Sequence, residues 1–214
     1  EIVLATGVVP RIPNLVGIDH QKVVNYQDVL SFKTKIGQKV AVIGAGGIGY
    51  DICEFLTEEG DSHTLNLDLW LKEWGIDKSI THPGGIEGVE KLNPISKREV
   101  FLLQRKTTRF GKSLQPTTGW IHRAALKKRS VEMIGGVEYV KIDDKGLHIK
   151  ENEKERILEV DHIVLCSGQV SQQELVKDLE KEGLRFHLIG GAFYAGELDA
   201  KRAIRQGAEL AEKI

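Results

Sequence analysis

The chain has 214 residues, 41% of them hydrophobic, which is enough to bury one good core or two smaller ones. Its 30 basic and 31 acidic side chains give a formal net charge of -1, so no overall field draws it to nucleic acid or to an anionic membrane. Two cysteines are too few for a disulfide scaffold, and no apolar run approaches the ~20 residues of a membrane span. We therefore expect a soluble, cytoplasmic protein without a signal peptide.

The first predicted strand begins at the very start of the chain. IVLATG is a short apolar strand that ends in a turn of small residues, Ala5, Thr6 and Gly7. A natural N-terminus rarely opens inside a core strand, and the only methionine is Met133. We therefore expect the sequence to be a piece of a larger protein.

The most informative stretch is KVAVIGAGGIG, an apolar strand from Lys39 to Ile43 that runs into the dinucleotide fingerprint G-x-G-x-x-G. Gly44 permits the tight turn, Gly46 lets the backbone approach a pyrophosphate, and Gly49 allows the following helix, predicted from Tyr50 to Leu56, to pack closely on the strand. The pyrophosphate then lies against unpaired N–H groups at the start of that helix. The predicted contacts to a nicotinamide dinucleotide are Gly44, Ala45, Gly46, Gly47, Ile48 and Gly49.

An insertion, residues 60–98, separates the first helix of this unit from its second strand. An ordinary mononucleotide-binding unit has only a few residues at this point, and a long loop in a compact domain is usually functional or disordered. Trp70 and Trp74 lie four residues apart on a short helical pattern and so share a face. Two interpretations stay open: a local satellite core, or contact with a domain outside this sequence.

The second strand, predicted from Glu99 to Lys106, ends in a cationic loop. In an NAD-type unit this strand end carries an Asp or Glu that binds the adenosine ribose hydroxyls. Here it carries Gln104, Arg105 and Lys106, with Arg109 close behind. Because a 2′-phosphate requires cationic donors, we predict NADP(H) rather than NAD(H). The alternative is a solvated basic loop.

The next helix is predicted to start at Thr117 or Thr118, either of which can cap it by accepting a backbone N–H bond. Its N-terminus would face the cofactor crevice, so Thr118 is a further candidate cofactor contact. The histidines show no metal-ligand spacing, and no Ser/His/Asp set can be assembled. We therefore assign no catalytic residue and no metal ligand to this chain.

The rest of the chain predicts a meander and a second set of strand-turn signals. Polar/apolar alternation indicates three antiparallel strands over 137–142, 146–150 and 156–160. HIVLCSG then ends in a turn at Gly168, and FHLIGGA ends at Gly190 and Gly191. These elements predict an α/β fold: a Rossmann-like, doubly wound parallel sheet with a three-stranded β-meander, of the FAD/NAD(P)-binding type.

A terminal helix is predicted from Asp199 onward, with apolar residues at a spacing that indicates one buried face. The apolar positions are Ala200, Ala203, Ile204, Gly207, Ala208, Ala211 and Ile214. The helix start near Glu197 and Asp199 has two open interpretations, a phosphate site or a plain capped helix.

These motifs together resemble the C-terminal part of the flavin-dependent 2,4-dienoyl-CoA reductases, a group that also holds trimethylamine dehydrogenase and old-yellow-enzyme-like enoate reductases. The resemblance covers essentially all 214 residues. It is carried by IVLATGVVPRIP, KVAVIGAGGIGYD, EWGID, LLQRK, TTGWIHR, KIDDKGLH and LIGGA followed by ELDAKRAIRQG. It implies an NADP(H)-binding domain over 31–165, containing the insertion 60–98, set into an FAD-binding domain formed by 1–30 and 166–214. The implied partial FAD site comprises Ala5, Thr6, Gly7, Gly168, Gly190 and Gly191.

The resemblance also implies the reaction of a larger enzyme. Hydride passes from NADPH to FAD, and electrons then pass through a 4Fe-4S cluster to FMN in an N-terminal barrel, where an unsaturated fatty acyl-CoA is reduced during β-oxidation. The barrel, the cluster cysteines and the other half of the FAD domain would precede Glu1 and act as partners in cis, so this piece alone is expected to be inactive. Many FAD domains have Gly-Asp where this chain has Gly190 and Gly191, which leaves the ribityl contact to backbone N–H groups or to the region of Glu197.

Two alternatives to this function stay open. The parent protein could be a related enoate reductase or an amine dehydrogenase, because the acyl-CoA pocket is not in this sequence. The chain could also be a structural module that holds ADP or NADP without turnover.

Overall fold

A computed structural model describes residues 1–58, 60, 62–196 and 198–214, and its contacts divide the chain into two compact units. The central unit is Asn14–Cys166, and the outer unit combines Glu1–Pro13 with Ser167–Ile214. The predicted cofactor domains, with boundaries after residues 30 and 165, stay a prediction; the compact central unit itself begins at Asn14.

The strands, in chain order, are β1 (Ile2–Leu4), β2 (Val8–Pro10), β3 (Val23–Asn25), β4 (Lys39–Ile43), β5 (Glu99–Gln104), β6 (Glu132–Gly135), β7 (Glu138–Asp143), β8 (Gly146–Glu151), β9 (Lys154–Leu158), β10 (His162–Leu165), β11 (Gln169–Ser171) and β12 (Phe186–Leu188). The α-helices are α1 (Tyr26–Leu30), α2 (Gly47–Thr57), α3 (Leu67–Trp74), α4 (Gly119–Lys128), α5 (Val176–Lys181), α6 (Gly190–Phe193) and α7 (Ala200–Ala211).

The central unit is built on a five-stranded sheet in the order β3-β10-β4-β5-β6, in which every neighbouring pair is parallel. Alternate residues of β4 face opposite sides of the sheet. Val40 and Val42 pack in one core with residues of α2 and α4, whereas Ala41 and Ile43 pack in a second core with residues of the meander. The predicted α/β fold class is therefore confirmed: a parallel sheet with helices on one face and a β-meander on the other.

The meander consists of β7, β8 and β9, paired antiparallel in that order. Its third strand is Lys154–Leu158, slightly earlier than the predicted 156–160. A tight turn lies at Asn152 and Glu153, as the sequence predicts around Asn152; both residues have positive φ, and the third strand begins directly after them.

The insertion forms a short 3-10 helix at His63–Leu65 and the helix α3; the rest of its described part contains no strand. α3 ends at Gly75, which adopts the left-handed conformation that favours glycine. The ring centroid of Trp74 lies 6.2 Å from that of Trp70 and 6.2 Å from that of Trp120 in α4. The predicted face that Trp70 and Trp74 share therefore packs against α4 through Trp74.

The outer unit contains two small sheets. β1 pairs parallel with β12, and β2 pairs antiparallel with β11. The terminal helix α7 is capped by Asp199, whose side chain accepts from Lys201 N at 3.0 Å, as expected for the plain capped helix. Its predicted buried face is wrong within this unit: no residue of α7 is buried, and Ile204 is 71% exposed. Among the described residues, no helix is long and apolar enough to cross a membrane.

Candidate dinucleotide-binding site

The fingerprint glycines form a tight turn at the carboxyl end of β4. Gly44 has φ +113°, in the region that favours glycine, and its N–H donates to Leu103 O of the neighbouring strand at 2.9 Å. A Cβ on Gly49 would lie 1.9 Å from Gly44 O, so only glycine permits helix α2 to start this close to the strand. The turn and the start of α2 are therefore fixed by two glycines for steric reasons.

The first turn of α2 faces open space. Gly46 is the N-cap, no side chain caps the helix, and a Cβ on Gly46 or Gly47 would meet no atom within 4 Å. A helix start with unpaired N–H groups attracts anions. The residues present thus fit a dinucleotide pyrophosphate, which requires close approach to backbone N–H groups. Ala45 and Ile48 lie half-buried between these glycines.

The cationic loop follows β5, the strand adjacent to β4 in the sheet. Because β4 and β5 are parallel, their carboxyl ends meet at the same edge, so this loop adjoins the glycine turn. Arg105, Lys106 and Arg109 are exposed, and none forms an ion pair within the part of the chain that the structure describes. Three cations without internal partners are available to an anionic ligand.

Sequence reasoning missed two features that hold this loop. The Gln104 side chain donates to two loop carbonyls, Lys106 O at 2.8 Å and Thr108 O at 2.5 Å. At the end of β6, the loop lies against Gly135 and Gly136, and a Cβ on Gly136 would be 3.1 Å from Thr107 Cγ2. The Gly-Gly pair was the one available sequence signal, since it marks a close approach of backbone.

The predicted cap of α4 is wrong. Thr118 is the N-cap residue, but its side chain makes no capping hydrogen bond and its backbone is already helical, with φ −117° and ψ −19°. The reason is the turn that precedes the helix: Gln115 O accepts from both Thr118 N at 3.2 Å and Gly119 N at 2.8 Å. Thr118 is exposed after the loop, and its contact to a cofactor stays a prediction.

The candidate FAD residues all lie in the outer unit. Because β1 and β12 are parallel, the turn after β1, Ala5–Gly7, and the start of α6 after β12, Gly190–Gly191, meet at one end of this small sheet. A Cβ on Gly191 would lie 3.2 Å from Gly7 Cα, so the turn and the helix start are in close contact. Gly168 has φ +101°, and its carbonyl accepts from Arg11 N at 3.0 Å next to the β2–β11 pair.

Two donors of the expected FAD site already form hydrogen bonds within the chain. Gly190 N donates to the side-chain oxygen of Gln206 at 2.8 Å, so this backbone N–H is not free for a ribityl chain. Thr6 Oγ1 likewise donates to Gln172 O at 2.6 Å. The other expected ribityl contact, at Glu197, lies outside the described residues.

A buried ion pair joins the insertion to the end of α4 within the central unit. The Glu73 carboxylate is 4% exposed, lies 3.4 Å from Arg129 Nη1 and contacts His63 Nδ1. The Lys128 ammonium donates to Glu73 O at 2.8 Å and lies 3.6 Å from the Trp74 ring centre. Burial lowers the pKa of Lys128. These contacts support the satellite-core interpretation; contact with another domain stays a prediction.

Cys53 and Cys166 are free and buried, and burial raises the pKa of both thiols, that of Cys166 to about 12. Among the residues described, no group of three His, Cys, Asp or Glu side chains could hold a metal ion.

Comparison with known proteins identifies the family. A family model described as pyridine nucleotide-disulphide oxidoreductase matches residues 1–192. The chain belongs to this family. It is therefore an oxidoreductase domain of the FAD- and NAD(P)-binding type, which confirms the predicted flavin oxidoreductase family; the dienoyl-CoA reductase subgroup and the preference for NADP(H) stay predictions.

Individual relatives match most of this chain but only a part of their own length. A metal reductase of Desulforamulus reducens is 28% identical over 194 residues, 90% of this chain and 27% of that protein. A cinnamate reductase of Clostridium sporogenes is 27% identical over 192 residues, 90% of this chain and 23% of that protein. The structure of a 2-naphthoyl-CoA reductase complex shares the fold, with a TM-score of 0.72 and 23% identity over 99% of this chain and 26% of that chain. The chain thus spans about a quarter of the length of these proteins.

Proposed function

We propose that this chain is the NADPH-binding part of a flavin oxidoreductase similar to 2,4-dienoyl-CoA reductase. In the proposed reaction, NADPH supplies a hydride to FAD for the reduction of an unsaturated fatty acyl-CoA. The observation that carries the proposal is the pairing of an open glycine turn with an adjacent loop of three unpaired cations at one edge of the sheet.

The role of the chain's own residues is to bind and orient the dinucleotide. Backbone N–H groups at Gly46 and Gly47 would hold the pyrophosphate, and Arg105, Lys106 and Arg109 would hold the 2′-phosphate. Ala5–Gly7, Gly168 and Gly190–Gly191 would contribute backbone to part of an FAD site. Because two buried cysteines cannot supply the four thiolates of a 4Fe-4S cluster, we place that cluster and the FMN in other parts of the parent protein.

The substrate class is proposed from the resemblance and from the name of one relative. The name of one relative, cinnamate reductase, gives an unsaturated carboxylate as that protein's substrate, which favours either an unsaturated acyl thioester or another enoate for the parent protein. An amine dehydrogenase and a structural ADP/NADP module are the remaining alternatives. The upstream barrel and FAD half-domain are the proposed partners in cis, and the cytoplasmic location stays a prediction from the sequence.

The dinucleotide assignment is tested by titrating the 214-residue chain with NADPH and NADH, and repeating both titrations with Arg105→Ala and Lys106→Ala. Each charge-assisted hydrogen bond to phosphate contributes ~1.5–3 kcal/mol, so each substitution should weaken NADPH binding roughly tenfold or more. NADH binding should stay unchanged. Lys35→Ala, at an exposed lysine that precedes β4, is the matched control. Equal wild-type affinity for the two dinucleotides, or unchanged NADPH affinity in the variants, would contradict the assignment.

The reaction is tested in the parent protein. NADPH-driven reduction of its flavin would exclude the structural module, and a panel of enoyl thioesters, free enoates and amines would separate the remaining substrate classes. Absence of flavin reduction by NADPH would leave the structural module as the better description.

A further inference from the structure

Gln104 is the last residue of β5 and occupies the position where an NAD-type unit carries its ribose-binding carboxylate. Its side chain does not reach outward. The amide nitrogen lies 2.8 Å from Lys106 O and 2.5 Å from Thr108 O. Because both neighbours are carbonyl oxygens, which only accept hydrogen bonds, the side chain must present its NH₂ group to them.

The loop has few other anchors. Lys106 O also accepts from Gly136 N at 3.1 Å, and Val137 N donates to Gln104 O at 3.3 Å. A Cβ on Gly135 would lie 3.2 Å from Phe110 Cε2, so the loop and the residue after it approach the end of β6 closely. The Gln104 amide is therefore the one side chain, among the described residues, that donates to the backbone on both sides of Thr107.

The hydrogen bonds of the Gln104 amide determine where the three cationic side chains of the loop are placed. Arg105, Lys106 and Arg109 are exposed and form no ion pair with the residues that the structure describes, so no carboxylate fixes their orientation. The path of the loop backbone therefore determines the positions from which these three side chains extend. A preorganised loop loses less conformational entropy on binding than a free one.

We propose that Gln104 is a positioning residue that sets the preference for a 2′-phosphorylated dinucleotide, by holding the loop of Arg105, Lys106 and Arg109 beside the adenosine ribose. The inference rests on the proposed NADPH function and deepens it. A Glu at this position could only accept hydrogen bonds, so it would repel the two carbonyls and release the loop. The amide thus replaces the carboxylate of NAD-type units and also organises the cationic loop.

The test is Gln104→Met, which keeps the length of the side chain and removes both donors. Two hydrogen bonds of ordinary strength correspond to roughly a tenfold effect, so the Kd of NADPH should rise about tenfold while the Kd of NADH changes less than about twofold. Gln27→Met, at an exposed position of α1, is the matched control and should change neither. An equal loss of both dinucleotides, or an unchanged Kd ratio, would overturn the inference.

A double-mutant cycle separates positioning from a general structural role. In an Arg105→Ala, Lys106→Ala background, Gln104→Met should change the NADPH/NADH ratio much less than in the wild type, because the cations that it positions are gone. Full additivity would overturn the inference. Unchanged NADPH binding in the Arg105→Ala, Lys106→Ala variant itself would refute the proposed function, which is a different result.

A second variant covers the case in which Gln104→Met does not fold. Gln104→Leu is uncharged and donates no hydrogen bond, and it should lower the NADPH/NADH ratio about as strongly as methionine. A wild-type ratio in Gln104→Leu would overturn the role of the donors.

Discussion

Replacing Gly46 by alanine should weaken dinucleotide binding severely while leaving the free protein nearly as stable as before. Gly46 has φ −84° and ψ −174°, an extended conformation that any residue adopts, and an added Cβ would meet no atom within 4 Å. Alanine is a poorer N-cap than glycine, but it also restricts the unfolded chain. These effects oppose each other, so we expect the free energy of unfolding to change by less than about 1 kcal/mol.

The binding effect should be much larger. The new methyl group would occupy the space through which a pyrophosphate reaches the first N–H groups of α2. Loss of two charge-assisted hydrogen bonds, at ~1.5–3 kcal/mol each, corresponds to a fall in affinity on the order of 10²–10⁴. NADPH and NADH should weaken alike in calorimetric titrations, because both carry the pyrophosphate.

Two other glycines provide controls. Gly207→Ala lies in the interior of helix α7 and its Cβ also meets nothing, so it should stabilise the free protein by ~0.5–1 kcal/mol and keep dinucleotide binding. Gly49→Ala would place a Cβ 1.9 Å from Gly44 O and should lower stability to urea even without ligand. If Gly46→Ala bound NADPH as tightly as Gly207→Ala, the turn would not be the pyrophosphate site.

Three further predictions concern stability and thiol chemistry. Glu73→Gln leaves the buried Arg129 without its counterion and should cost about 3 kcal/mol in urea unfolding; an unchanged midpoint would show that this ion pair does not hold the insertion. Cys53 and Cys166, whose pKa values are raised by burial, should react with a thiol reagent only after unfolding, and rapid labelling of the native chain would contradict this. The backbone N–H of Lys39 lowers the pKa of Asp161, so its stabilisation is present above the ordinary carboxyl pKa and is lost as pH falls through the depressed value. Asp161→Asn should therefore make the melting temperature fall less steeply as the pH drops below the ordinary carboxyl pKa. The same pH dependence as in the wild type would show that this carboxylate does not contribute.

Local patterns predicted the parts of the fold that local physics determines. The strand before Gly44 could be read because its apolar run and the glycine spacing lie within a few residues of each other. The cap at Thr118 could not, because the carbonyl of Gln115 had already turned the chain into the helix. The prediction of a buried face on α7 was also wrong, because amphipathic spacing shows which face of a helix is apolar but not what covers that face.

In the candidate site, too, the sequence predicted local features but not those that depend on how the chain folds back. The cations Arg105 and Lys106 were visible in the sequence because their charge and their position after a strand are local properties. The task of Gln104 depends on how the loop folds back over the strand end, so it required the structure. The nearby Gly-Gly pair at the end of β6 indicated only that some backbone approaches closely there.

Charge alone would not explain the proposed preference for NADPH. Arginine and lysine attract any anion, and the pyrophosphate is common to both dinucleotides, so a flexible cationic loop would strengthen the binding of both. Discrimination requires that the cations stay beside the adenosine ribose, where only NADPH carries a phosphate. In this chain the position of the cations depends on the path of the backbone from Gln104 to Thr108. The Gln104 amide holds that backbone through two hydrogen bonds. For this reason an uncharged substitution at Gln104 should lower the NADPH/NADH ratio although every cation remains.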